Sequence, residues 1–157
     1  MQFVNENIIE KAAEKLGSNE SFFEDTLKKF TEHQPEILAY FFSEDTHAFT
    51  NPEREWMLFL LMVILESTEP FFEDHEITEQ LILSAEEKNW QHLQSSKGKT
   101  FRDRSDVFFE NYPQEDLLAF VEDSVTDDED GNISKEGREP LFIMLKTIID
   151  VLIGLDK

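Results

Sequence analysis

Apolar residues recur along this chain at the spacing of one helical turn, almost from end to end. Ile8, Ile9, Ala12, Ala13 and Leu16 predict a first amphipathic helix, with Asn5 placed to cap it and Gly17 to stop it. Ser18 or Asn19 can cap a second helix, carrying Phe23, Leu27 and Phe30 on one face and ending near Gln34, because Pro35 follows. Pro35 opens a third with Ile37, Leu38, Phe41 and Phe42. Asn51 and Pro52 repeat the cap-then-proline signature and launch WMLFLLMVIL to about Ser67. This fourth helix is apolar on every side and should be surrounded by protein.

Beyond Pro70 the pattern resumes. Ile77, Leu81, Ile82, Leu83 and Ala85 mark a fifth helix to about Gln94, followed by the polar link SSKGK, and Phe101, Phe108 and Phe109 mark a sixth. Pro113 is placed to open a seventh with Leu117, Leu118, Phe120 and Val121. Pro140 is placed to open an eighth, LFIMLKTIIDVLI, ended by Gly154. No stretch sustains a period of two, so the expected class is all-α, with about eight helices.

The two halves echo one another. QPEILAYF at 34–41 aligns with QEDLLAFV at 114–121, Phe22-Phe23-Glu24-Asp25 with Phe108-Phe109-Glu110-Asn111, and Arg54-Glu55 with Arg138-Glu139, in the same order. The reading is a single domain over residues 1–157, built as a tandem duplication of a four-helix unit, 1–70 and 71–155, packed as one pseudo-twofold globule.

Charge changes the picture of what such a bundle can meet. Thirty-five acids against fourteen bases leave a net charge of −21, which repels nucleic acid and anionic lipid and favours a basic protein surface. The longest apolar run, Trp56 to Leu65, is ten residues against the roughly 20 that a spanning helix needs, so no membrane partner is expected. The absence of cysteine excludes disulfides, thiolate metal sites and cysteine nucleophiles. With no export signal at MQFVNENIIEK, the expected location is cytoplasmic.

Candidate chemistry lies in the loops. TDDEDGNISKEG, 126–137, resembles part of an EF-hand calcium loop: with Gly131 at the sixth position, Asp128, Asp130 and Ser134 fall at the third, fifth and ninth. Thr126 stands where the first Asp belongs and Gly137 where a bidentate Glu should close the site, and Glu122 stands where the preceding helix should be apolar. The loop is therefore read as a turn, with Ser134 as a helix cap and tight calcium binding not expected. In the acidic loop 43–51, Glu44 and His47 have the E-x-x-H spacing of di-iron bundles, but the partner motif is missing, since His33, His75 and His92 have no acid three residues before them. His75 and Glu79 are four apart and form one further pair at most. If any metal bound, Asp128, Asp130, Ser134, Glu44 and His47 would be its ligands; no cofactor is expected.

Gly98-Lys99-Thr100 ends like a phosphate-binding loop, yet Leu93 replaces its first glycine and no strand precedes it, so nucleotide binding there is rejected. Lys97, Lys99, Arg102 and Arg104 form the basic cluster of an acidic chain, read either as a solvated link or as a clamp on an acidic face. Arg54 and Arg138 each follow a helix start, where the dipole disfavours a cation, so each is expected to be structural, preferably in an ion pair with an acid such as Glu24, Glu36, Glu110 or Asp116, and otherwise held by a carbonyl within its own half. A functional anion pocket is the alternative for them.

No catalytic constellation is legible, and no catalytic residue is assigned. The favoured reading is a non-enzymatic interaction module of the inhibitor, immunity, mimic or adaptor type, meeting a basic partner through Asp127, Asp128, Glu129, Asp130, Glu44 and Asp45. The alternatives are a metal-binding protein or metal-dependent enzyme using loops 43–51 and 126–137, and a structural homo-oligomer.

Overall fold

The computed structural model describes residues 1–43, 48–72, 76–126 and 133–154, and these are all-helical, with no strand among them. The eight helices are α1 (Glu6–Ser18), α2 (Glu20–His33), α3 (Pro35–Phe41), α4 (Asn51–Thr68), α5 (Glu79–Ser95), α6 (Phe101–Ser105), α7 (Glu115–Thr126) and α8 (Lys135–Ile153). Short 3-10 turns follow α4 at Glu69–Phe71 and α6 at Asp106–Phe109.

Side-chain caps set most of the starts. Asn5 Oδ1 accepts the Ile8 N–H at 3.1 Å and Asn19 Oδ1 accepts the Phe22 N–H at 3.0 Å, as expected for α1 and α2. Gly17 does not stop α1, which runs one residue further to Ser18. Gly154 ends α8 in the left-handed conformation, φ 75°, where a residue without Cβ carries no penalty. The proline signature misplaces two starts. Pro113 lies two residues ahead of α7, and Pro140 is the sixth residue of α8 rather than its first. Ser134 wins that competition because its Oγ accepts the Gly137 N–H at 3.0 Å and nucleates the helix one and a half turns earlier.

α4 and α8 touch at the centre of the molecule. α4 packs against α1, α2 and α8, and α8 against α5, α7 and α4. Leu60 to Leu65 are consecutive buried residues, which can occur only where protein surrounds the helix, and Leu141 to Leu152 in α8 are buried likewise. The buried side chains form one continuous cluster. The N-terminal segment ties the two halves: the buried Gln114 side chain accepts from Val4 N–H at 2.9 Å and donates to Gln2 O at 3.0 Å, and Asp116 Oδ2 accepts the Glu6 N–H.

Two pairs of residues from the sequence echo hold the same position relative to a helix start. Gln34 and Gln114 each immediately precede a helix, and Arg54 and Arg138 are each the fourth residue of theirs. The halves differ elsewhere: α2 has 14 residues, where the second half has the five of α6 and a four-residue 3-10 turn.

Candidate functional site

The acids Asp127, Asp128, Glu129, Asp130, Glu44 and Asp45, with His47 and His75, lie outside the described residues. Ser134 is described, and its hydroxyl is occupied in capping: Oγ donates to Glu53 Oε2 at 2.9 Å while accepting from Gly137. Among the described residues no group of three or more His, Asp or Glu is arranged to hold a metal ion.

Among the described residues Arg54 and Arg138 are held by oxygens within their own halves, Arg138 by a carbonyl, rather than by the preferred carboxylates. Arg54 Nη2 donates to Asn51 Oδ1, and Arg138 Nε donates to the Val125 carbonyl at 3.2 Å. Both acceptors are neutral, so among the described residues neither forms a structural ion pair. Asp116 is engaged elsewhere, on the Glu6 N–H of α1.

The carboxylate that matters at these helix starts is Glu53, 2% exposed. It forms a capping box with Thr50, its Oε1 accepting the Thr50 N–H at 2.9 Å while Thr50 Oγ1 accepts the Glu53 N–H at 3.2 Å. Its other oxygen crosses to the second half and accepts both the N–H and the hydroxyl of Ser134, at 3.1 and 2.9 Å. One side chain thus caps α4 and anchors the cap of α8. Burial alone would push its carboxyl pKa up, but the donors from Thr50 and Ser134 outweigh that and hold it below the ordinary 4.5. Gly137 makes the approach fit, because a Cβ there would overlap the Glu53 carboxylate.

The basic cluster is an intramolecular clamp in part. Arg102 reaches from α6 to α7, donating to Glu122 Oε1 at 2.8 Å, Asp123 Oδ1 at 3.1 Å and Thr126 Oγ1 at 2.8 Å; Ser105 Oγ donates to Glu122 Oε2 at 2.6 Å. Glu122 is thereby buried with both oxygens satisfied. Arg104 pairs with Glu139 of α8, whereas Lys97 and Lys99 stay exposed.

A second polar network is buried in the core. Lys146 Nζ donates to Asn89 Oδ1 at 2.7 Å and Asp150 Oδ2 at 2.8 Å. Asp150 also accepts from Asn89 Nδ2 at 2.9 Å and from the Tyr112 hydroxyl at 2.6 Å, and Asn89 Nδ2 contacts Thr147 Oγ1 at 3.1 Å. The ammonium lies 4.8 Å from the Phe108 ring centre and 5.0 Å from that of Tyr112. Every charge here is paired and enclosed, the arrangement of a structural core network. Its sequence signal is a Lys and an Asp four apart in an otherwise apolar helix.

One open feature is a groove of about 440 Å³ where the α1–α2 junction meets the first turns of α4. Its wall is a ladder of near-parallel rings. Phe23 and Phe59 stack with centres 6.5 Å apart, Phe59 and Trp56 with centres 5.5 Å apart, each pair inclined by 15°. All three rings are half-buried, and the exposed acids Glu20 and Glu55 also line the groove. Trp56 is fixed by its indole N–H, which donates to the Ser124 carbonyl at 3.0 Å. Close by, Lys15 Nζ already sits 4.1 Å from the Phe22 ring centre, so this surface accepts a cation over an aromatic face.

Compared with family models, curated proteins and solved structures, the chain matches none of them.

Proposed function

We propose that the protein is a non-enzymatic interaction module that captures a basic partner, whose Arg or Lys side chain enters the groove between α1, α2 and α4. The observation that carries this reading is the pairing of an aromatic ladder, Phe23, Phe59 and Trp56, with two exposed acids that form no ion pair among the described residues, Glu20 and Glu55, in one groove. Half-buried aromatics give apolar contact and a negative ring face, and flanking carboxylates select for a cation. The charge of the whole chain adds a long-range field of the same sign as the groove. The acids Asp127, Asp128, Glu129, Asp130, Glu44 and Asp45 belong to the same proposal as contributors to that field.

The test compares capture from native lysate by the wild type and by Glu20→Gln/Glu55→Gln, at 0.15 M and 1 M salt. The expected partner is basic, is lost from the double variant, and is released at high salt as the Debye length falls from about 8 Å to about 3 Å. A partner held equally by both proteins through that range would sink the reading.

A further inference from the structure

We propose that the concave face between α6 and the start of α8 binds a small phosphate-bearing anion. The chain has fourteen Lys and Arg in all, and four of them, Lys99, Arg104, Lys135 and Arg138, line one cavity of about 510 Å³. They come from two places far apart in sequence, so no local run of basic residues accounts for the cluster. Glu136 and Glu139 share the cavity, and Glu139 is engaged by Arg104. Among the described residues that line it, four cations against two carboxylates give a net positive charge in a chain of net charge −21.

Stability does not account for this arrangement. Lys135 is the first residue of α8 and Arg138 the fourth, both at the helix end whose dipole is positive and disfavours cations. Nor are they held there by acids. Arg138 uses only Nε, on the Val125 carbonyl, so both Nη groups lack an acceptor among the described residues. Lys99 and Lys135 are exposed and form no ion pair among the described residues. A guanidinium whose Nη groups have no acceptor among the described residues, sharing one cavity with two lysines, matches the several acceptor oxygens of a phosphate.

The overall charge narrows the ligand further. At long range the chain repels any extended anionic surface, so a duplex or an anionic bilayer is disfavoured before contact. A compact anion crosses that field with little charge and meets Lys99, Lys135 and Arg138, which have no carboxylate partner among the described residues, beside Arg104, which is bound to Glu139. The cavity volume suits a small phosphorylated metabolite, with the half-buried Phe101 ring as part of its wall.

The experiment is a calorimetric titration of the intact chain with inorganic pyrophosphate at 0.15 M salt, run on four proteins. The wild type is expected to bind. Lys135→Ala/Arg138→Ala should weaken binding by about tenfold or more, since two charge-assisted contacts are removed. Lys99→Ala, which lies in the link outside α8 and leaves that helix unaltered, should weaken it too, so the result does not depend on one variant folding. Lys11→Ala/Lys28→Ala makes the same change in charge away from the cavity and should bind like the wild type. No binding by the wild type, or equal weakening in the Lys11 and Lys28 variant, overturns the proposal.

Discussion

The starts of α4 and α8 share much of their local sequence chemistry and solve the same problem differently. Each has a hydroxyl cap, Thr50 or Ser134, an Arg at the fourth helical position, and a proline in the first two turns. They part at the third position, where α4 has Glu53 and α8 has Gly137. Glu53 completes its own capping box and then extends into the space that the missing Gly137 side chain leaves open, where it takes the N–H and hydroxyl of Ser134. The helix without an acid borrows one from its counterpart. Two exactly alike starts would bring either two carboxylates or none to this point, so their difference is what lets the halves lock together.

That comparison breaks first at Gly137. Gly137→Ala should expel the Glu53 carboxylate from its bonded position and cost about 2–4 kcal/mol in chemical denaturation, overpacking and lost charge-assisted bonds outweighing the better helix propensity of alanine. In a Glu53→Ala background the same change should be neutral or stabilising, and additive costs in the two backgrounds would refute the shared carboxylate. Glu53→Ala alone should cost about 1.5–3 kcal/mol. Ser134→Ala comes next, at about 1–2 kcal/mol, and should exceed Thr50→Ala, because Ser134 both caps α8 and donates to Glu53. Smallest are Arg54→Ala and Arg138→Ala, about 0.5–1 kcal/mol each by thermal or denaturant unfolding, since each loses a hydrogen bond to a neutral acceptor and relieves an adverse dipole contact.

Acid sharpens the same point. Glu53 has a folded pKa below its ordinary 4.5, so the carboxylate form is favoured by folding. Its contribution is complete above about pH 4.5 and is lost as pH falls through the lower folded value. Stability measured between pH 6 and pH 3 should therefore decline less steeply in Glu53→Gln than in the wild type.

Much of this architecture is legible in the sequence because helix periodicity and caps are local. Asn5, Asn19, Pro35 and Gly154 act where their chemistry says they should, and the buried run from Leu60 to Leu65 follows from a helix with no polar face. Pro140 misleads because a proline signals a start only when no stronger cap precedes it, and Ser134 does. The long-range pairings are not legible. Glu53 and Ser134 are 81 positions apart, and nothing local to either names the other. Gly137, which stands where a calcium loop would close with a carboxylate, is the residue that admits one from α4. The aromatic groove is equally hidden, since Phe23, Trp56 and Phe59 read as core positions until the packing leaves them half-buried.

The buried Lys146 network has a consequence for which arrangement of helices the chain selects. α8 is apolar over most of its surface, and such a helix could slide by one turn, about 5.4 Å, against α5 and still find apolar neighbours. Sliding would carry Lys146 and Asp150 away from Asn89 and Tyr112 and leave charges without partners in the core, at a cost of about 3–5 kcal/mol. The polar cluster thus acts as a register pin, spending little on net stability and much on uniqueness. Variants that replace the whole cluster with apolar side chains of similar size would remain helical and compact, yet lose the single alignment of α8 on which the meeting of Glu53 and Ser134 depends.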